Sequence, residues 1–169
     1  ISERLLPHTT HLDLVEPTPS LAVRLETKFA DDSGCLVSHK TLEHWLEGIH
    51  EETFDTAVMV NVLEHIEDDS AATRGLFNAL KPGGRIMIFV PALPFLYSEL
   101  DRLYGHFRRY RRNELKLCVE KAGFSVEKLH YFDITGVLPW WLFNTLLGKT
   151  SFHKPSLTFY DKIVVLHYS

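Results

Sequence analysis

The chain has 169 residues, enough for one domain with a real core. A hydrophobic fraction of 45% and a charged fraction of 24% exclude a disordered or fibrous protein and fit an ordinary globular one. A net charge of −4, counted with neutral histidines, argues against nucleic-acid binding as the main task.

Two cysteines, Cys35 and Cys118, have no metal or redox spacing. They read as buried thiols of a reducing compartment, so a cytoplasmic location is expected. No signal peptide is visible, and Ile1 is not expected to be the natural start.

In chain order, residues 1–6 read as the last turns of a helix. Residues 11–15 form a short strand closed by Glu16-Pro17. Thr18 then caps a helix with Pro19 at its first position, where proline is favoured. Leu21, Leu25 and Phe29 are expected on its inner face. Asp31-Asp32-Ser33-Gly34 is a turn, and residues 35–37 are a second strand. Residues 41–46 read as one helical turn with Trp45 and Leu46 inward.

Residues 56–60 are the third strand. A helix over 70–80 follows, with Leu76, Phe77 and Leu80 apolar, and Pro82-Gly83-Gly84 stops it. Residues 85–90 are the fourth strand. Strands three and four are nearly continuously apolar, as in a parallel sheet covered on both faces. A helix around 114–122 carries Leu115, Cys118, Val119 and Ala122 at i, i+3, i+4 and i+7 and ends at Gly123. Residues 124–132 resume as strand, and 163–166 are a last strand or helix. The alternation predicts an α/β fold: Rossmann-like, doubly wound, with a mostly parallel sheet.

Polar residues gather where strands end, which is where open α/β sheets bind ligands. Glu16 ends the first strand, the place of an acidic side chain that holds ribose hydroxyls. The alternative is a solvated strand-end glutamate. Asn61 ends the third strand, followed by Val62, Leu63, Glu64 and His65. Asn61 offers donor and acceptor to a ligand, or caps the turn. His65 is a candidate general base or a packed turn residue. Glu64 is read as structural, holding a backbone amide or a basic partner.

Residues 101–112 carry five arginines and three aromatics. They read as structural ion pairs, with Asp101 the internal acid, as a grip on a small anionic substrate, as a contact for single-stranded nucleic acid, or as a solvated loop. The longest apolar run, from Val137 to Leu147, falls short of a membrane span. It reads as a buried helix or cap, with a membrane-surface contact through Trp140 and Trp141 as the alternative. His8, His11, His39, His44 and His50 are scattered, so no metal set is expected.

Three blocks, residues 12–17, 54–66 and 80–84, resemble class I S-adenosylmethionine (SAM)-dependent methyltransferases of the small-molecule type. They correspond to the ribose-binding strand, the strand ending in Leu63-Glu64-His65, and the turn Leu80-Lys81-Pro82-Gly83-Gly84. The segment from Gly105 to Tyr110 and on to Phe124 resembles a bacterial subgroup that places it on the substrate side.

The resemblance implies SAM as cofactor, bound by Glu16, Pro17, Thr41, Leu42, Asn61, Val62 and Leu63. Thr41 and Leu42 stand where adenine is read. It implies methyl transfer to an oxygen or nitrogen of a small, anionic or polar acceptor. His65 and His106 are the candidate bases, and Arg109 and Tyr110 orient the acceptor. One methyltransferase-like domain over 1–169 is expected, with 92–112 and 134–160 as substrate-side caps. The glycine-rich loop and the last strand have no counterpart, so the chain looks like a core trimmed at both ends. The rival readings are a non-catalytic interaction module and an NAD-dependent reductase, which would lack a Tyr-x-x-x-Lys pair. Oligomeric state does not follow from the sequence.

Overall fold

A computed structural model describes residues 2–132 and 137–146. They divide into two compact units. The first comprises Ile1–Thr56 and Gly75–Arg85, the second Ala57–Arg74 and Ile86–Ser169.

The first unit opens with α1 (Ser2–Leu5) and a 3-10 turn over Leu6–His8. β1 (Leu12–Val15) and β2 (Cys35–Ser38) pair in parallel, from Leu12 opposite Cys35 to Val15 opposite Ser38. The Glu16 N–H bonds the Ser38 carbonyl at 3.0 Å, which carries the ladder one residue past β1. That fixes Glu16 at the carboxyl end of this strand pair.

α2 (Pro19–Lys28) starts at Pro19 as expected, but the Thr18 side chain makes no capping bond. Glu16 does that work: its Oε1 accepts the Thr18 N–H at 2.8 Å. The inner face of α2 is also offset by one position. Ala22, Leu25 and Phe29 turn inward, while Leu21 is 43% exposed. An i, i+3, i+7 set forms the stripe, and small Ala22 sits where the helix lies closest.

α3 (Leu42–Leu46) is capped by Thr41, whose Oγ1 accepts the His44 N–H. It buries Trp45, whose ring lies 5.4 Å from that of Phe54.

β3 (Phe54–Val60) and β4 (Leu80–Phe89) form the other strand pair. The predicted turn at Pro82-Gly83-Gly84 lies inside the assigned span of β4, with Gly83 at φ +79°. Glycine takes that left-handed conformation without the Cβ clash other residues suffer. β4 is not covered on both faces. Ile86 and Ile88 are half-buried, whereas Met87 is 53% and Phe89 43% exposed. A continuous apolar run does not reveal which faces acquire partners, and burial here alternates with the period of a half-covered strand.

In the second unit, the Asn61 N–H bonds the Phe89 carbonyl at 2.9 Å, and the chain turns abruptly. Asn61 takes φ +52°, and a 3-10 turn over Leu63–His65 buries Leu63 and Glu64 completely. α4 (Asp69–Ala79) begins with Asp68 accepting the Ala71 N–H at 2.9 Å. Ala72, Thr73, Leu76 and Ala79 are its buried positions, and apolar Phe77 is 40% exposed.

After β4, Ala92 and Tyr110 form a bridge, and Leu93 is held at φ +62°. α5 (Glu99–Leu103) is capped by Ser98, whose N–H and hydroxyl both donate to Asp101 Oδ2 at 2.9 Å. α6 (Arg112–Ala122) follows the sequence reading closely. Leu115 and Cys118 are half-buried, Val119 and Ala122 fully so, and Gly123 ends the helix at φ +116°.

Residues 124–132 are irregular, not a strand. An apolar run becomes a strand only with a neighbour to pair with, and none is present among the described residues. α7 (Val137–Trp140) and a π-turn over Trp141–Leu146 close the described chain. The candidate strand at 163–166 and much of the 134–160 cap lie outside the described residues. Among the described residues no helix is long and apolar enough to cross a membrane.

Candidate functional site

In the first unit, the carboxyl ends of β1 and β2 border an open groove lined by Pro17, His39, Lys40, Thr41, His44 and Glu47. Glu16 spends one carboxylate oxygen on the Thr18 amide and keeps the other free for a further donor. Thr41 is exposed and lies 3.2 Å from His44 Nδ1 through its hydroxyl. His39 is held by Glu26 at 3.0 Å. Of the residues expected at the nucleoside end of a cofactor, the structure thus gathers Pro17 and Thr41 on the groove. Leu42 is half-buried at the start of α3.

The second unit holds the other candidates. Asn61 and Val62 are exposed and Leu63 is buried. A left-handed non-glycine residue is costly, and asparagine tolerates it best. Such outliers concentrate at binding sites.

Beyond Asn61 lies a network that the sequence shows only in part. Asp101 is buried at its centre. Arg109 grips it with two parallel bonds, Nε to Oδ1 at 2.8 Å and Nη2 to Oδ2 at 3.1 Å. His106 Nδ1 lies 3.0 Å from Asp101 Oδ1. Burial pushes the Asp101 carboxyl upward. The hydrogen bonds from Arg109 and Ser98 outweigh it and hold the group below its ordinary value. Arg109 also donates to the Ala92 carbonyl, and its guanidinium sits 4.6 Å above the Trp140 ring.

Tyr110 is buried as well. Its hydroxyl donates to Asp69 Oδ2 at 2.8 Å and reaches the Leu63 carbonyl at 3.3 Å. Burial, then Asp69, push the phenol well above its ordinary range. Arg108 pairs with Asp69 at 2.9 Å. Arg109 and Tyr110 therefore aim their polar ends at interior acids, not at open space. Asp101, weighed as the internal acid for this arginine-rich segment, has that role.

His65 and His106 come together. Their ring centroids are 4.6 Å apart and the planes meet at 85°. His65 is exposed and His106 half-buried. Desolvation, then the neighbouring His106, lower the His65 pKa, against the pull of the Gly105 and Tyr104 backbone. At neutral pH it is an unprotonated imidazole with a lone pair available.

Glu64 departs from its expected structural role. It is 0% exposed, and neither carboxylate oxygen has a side-chain or neighbouring backbone hydrogen-bond partner among the described residues. Burial pushes its pKa up to about 7, against the pull of its own backbone amide and then of Arg109. The Phe107 N–H donates to the Glu64 carbonyl at 2.8 Å and ties the two segments bearing these residues together. The sequence held no signal for this cluster, because Glu64 and His106 belong to segments joined only by folding.

In open α/β sheets ligands bind at the carboxyl ends of strands, where Glu16 stands in the first unit and Asn61 in the second. A family profile described as "Methyltransferase domain" matches residues 1–86. The chain belongs to the methyltransferase domain family. The UbiE ubiquinone/menaquinone biosynthesis C-methyltransferase of Haemophilus ducreyi is 24% identical over 112 residues, covering 50% of this chain and 42% of that protein. This chain thus spans less than half the length of that relative.

The solved structure of YcgJ from Bacillus subtilis superposes with a TM-score of 0.65 at 17% identity, covering 73% of this chain and 56% of that one. An S-adenosylmethionine-dependent methyltransferase from Mesorhizobium loti gives 0.61 at 17%, covering 78% and 74%. At these identities the structures establish the fold, and the Rossmann-like α/β expectation stands.

Proposed function

We propose that the protein is a SAM-dependent methyltransferase acting on an oxygen or nitrogen of a small acceptor. The observation that carries this reading is the pairing of His65 with His106 just after β3, in a chain of the methyltransferase domain family. The residues present fit the cofactor. Glu16 has an uncommitted carboxylate oxygen for ribose hydroxyls, and Pro17, Thr41 and Leu42 stand on or beside the groove for adenine. Asn61, Val62 and Leu63 follow the next strand end for the amino-acid part. When bound, SAM supplies a methyl group on a sulfonium.

The chain's own residues supply position and proton handling. His65, uncharged at neutral pH, can take the proton of an acceptor hydroxyl or ammonium. Asp101 holds His106 by Nδ1 and sets the ring's direction. Arg109 and Tyr110 fix Asp101 and the turn that carries Glu64 and His65. We place residues 92–112 on the acceptor side, with a small anionic or polar molecule as partner. A membrane-surface contact has less to stand on at Trp140, whose indole N–H donates to the Leu96 carbonyl at 3.0 Å, than at the 40% exposed Trp141.

The test is calorimetric titration of the full-length protein with SAM, then methyl-group incorporation into a panel of phenols, carboxylates and amines. Binding by the parent, with His65→Ala lowering turnover at unchanged SAM affinity, supports the assignment. Absence of SAM binding overturns it.

A further inference from the structure

We propose that Glu64, His65 and His106 bind a divalent transition-metal cation whose open position takes the acceptor's oxygen. The placing of the acceptor rests on the methyl-transfer reading above; the metal site itself does not. One donor atom from each of the three residues lies within 4.8 Å of the others. Ligand distances of about 2.0–2.2 Å require donors roughly 3.4 Å apart around a tetrahedral ion. His65 is exposed, and its ring would leave its hydrogen bonds to the Gly105 and Tyr104 backbone to close the difference.

Glu64 is the decisive member. A carboxyl taken wholly out of water must be hydrogen-bonded, matched by a counter-charge or protonated. Apart from the pull of its own backbone amide, neither oxygen has a hydrogen-bond partner among the described residues. The nearest interior cation, Arg109, already grips Asp101 with both arms of its fork. A metal ion among Glu64 and two imidazoles supplies the missing counter-charge.

The surroundings are built as metal sites are. A carboxylate only accepts, so His106 Nδ1 carries its proton toward Asp101 and Nε2 keeps a free lone pair. A carboxylate behind a histidine is the usual support of a metal-binding imidazole. Backbone bonds brace the cluster: Phe107 N–H to the Glu64 carbonyl, and His106 N–H to the Asp101 carbonyl at 2.9 Å. The Tyr97 hydroxyl adds a bond to the His106 carbonyl at 2.6 Å.

Two imidazoles and one carboxylate suit zinc, iron(II), cobalt(II) or manganese(II) better than magnesium or calcium, which prefer oxygen. Three protein ligands leave a position open. An acceptor hydroxyl bound there would release its proton to solvent water near neutral pH, at the exposed His65 side of the site, because the ion stabilises the alkoxide or phenolate. His65 would then act as a ligand in place of the base role proposed above, and the methyl group would pass from the sulfonium to that oxygen with the thioether as leaving group.

The test uses Co2+ as probe on the chelator-stripped full-length protein, read by visible d–d absorption and calorimetry. One tightly bound equivalent is expected. Glu64→Gln, which keeps the side chain's shape, and His65→Ala, at an exposed position, should each weaken Co2+ more than about 100-fold, beyond the 10- to 100-fold typical of supporting residues. His8→Ala, remote in the chain and exposed, should change nothing. If the parent binds no Co2+, or if both variants at the site bind it like the parent, the proposal fails. SAM calorimetry on the same metal-free samples separates the two readings: loss of SAM binding with cobalt binding intact strikes only the methyltransferase assignment.

Discussion

Glu16 and Thr41 in the first unit stand on strand-end loops, half-buried or exposed, each with a single close partner. Asp101, Arg109 and Tyr110 in the second unit are buried and bonded on several sides. The first arrangement leaves polar atoms free for a ligand and costs the fold little when altered. The second spends its polar atoms on one another, so its geometry is fixed before any ligand arrives. Within the arginine-rich segment, Arg109 belongs to the buried network, while Arg102, Arg111 and Arg112 are exposed.

Breaking the second network should give the largest effect. Asp101→Ala leaves Arg109 as an unpaired buried charge, which costs about 3–5 kcal/mol. A thermal scan should show the midpoint falling by roughly 10 °C, at about 2–4 °C per kcal/mol for a chain of this size. A shift of only a degree or two would mean that the pair is solvated and the contrast between the units is overstated. Arg109→Ala should behave similarly, and its loss of activity should follow its loss of folded protein.

The first unit should respond in binding, not in stability. Glu16→Ala removes a charged partner of a ribose hydroxyl, worth about 1.5–3 kcal/mol. SAM affinity should fall roughly 10- to 100-fold, at about 1.4 kcal/mol per decade, with the melting curve hardly moved. Equal affinity in calorimetry would take Glu16 out of the site.

Tyr110→Phe tests the network at one bond. The hydroxyl lost from Asp69 and Leu63 should cost about 1–2 kcal/mol in denaturant midpoint. At the small end, Arg111→Ala breaks an exposed pair with Glu114 and should cost under about 0.5 kcal/mol.

The two thiols compare the units by pH. Burial and then Asp32 push Cys35 up; burial, against a hydrogen bond from Thr73, pushes Cys118 up. A thiol raised on folding stabilises the fold below its unfolded pKa, and that contribution is lost as pH rises through the folded value. Both thiols should alkylate more slowly than free cysteine at pH 8, since the thiolate is the reactive form. A fast reaction at either site would show that its surroundings open readily.

Much of this was legible in the chain. The four strands, the helix starting at Pro19 and the glycine-ended α6 follow from local patterns of period and punctuation. The strand-end positions of Glu16 and Asn61 were legible because strand ends are visible in sequence. The misses share one cause. Leu21 and Phe89 are exposed, and residues 124–132 form no strand, because burial and pairing depend on neighbours brought from elsewhere in the chain. The same holds for Glu64 with His106 and for Arg109 on Asp101. Segment 101–112 displayed its charges but not their partners, so the pairing of buried Arg109 with Asp101 was one of several open readings.

Trp140 has a consequence of a different kind, which is optical. Its indole N–H is tied to Leu96 and its face lies under Arg109, while Trp45 is buried in the first unit beside Phe54. The chain's three tryptophans are therefore divided between the units, with Trp141 beside Trp140. Trp45→Phe leaves only emitters of the second unit, and the Trp140→Phe/Trp141→Phe double variant leaves only that of the first. Each half of the molecule then carries its own lamp, and the temperature at which each reddens on heating reads out whether the loosely bonded groove or the buried ion network gives way first.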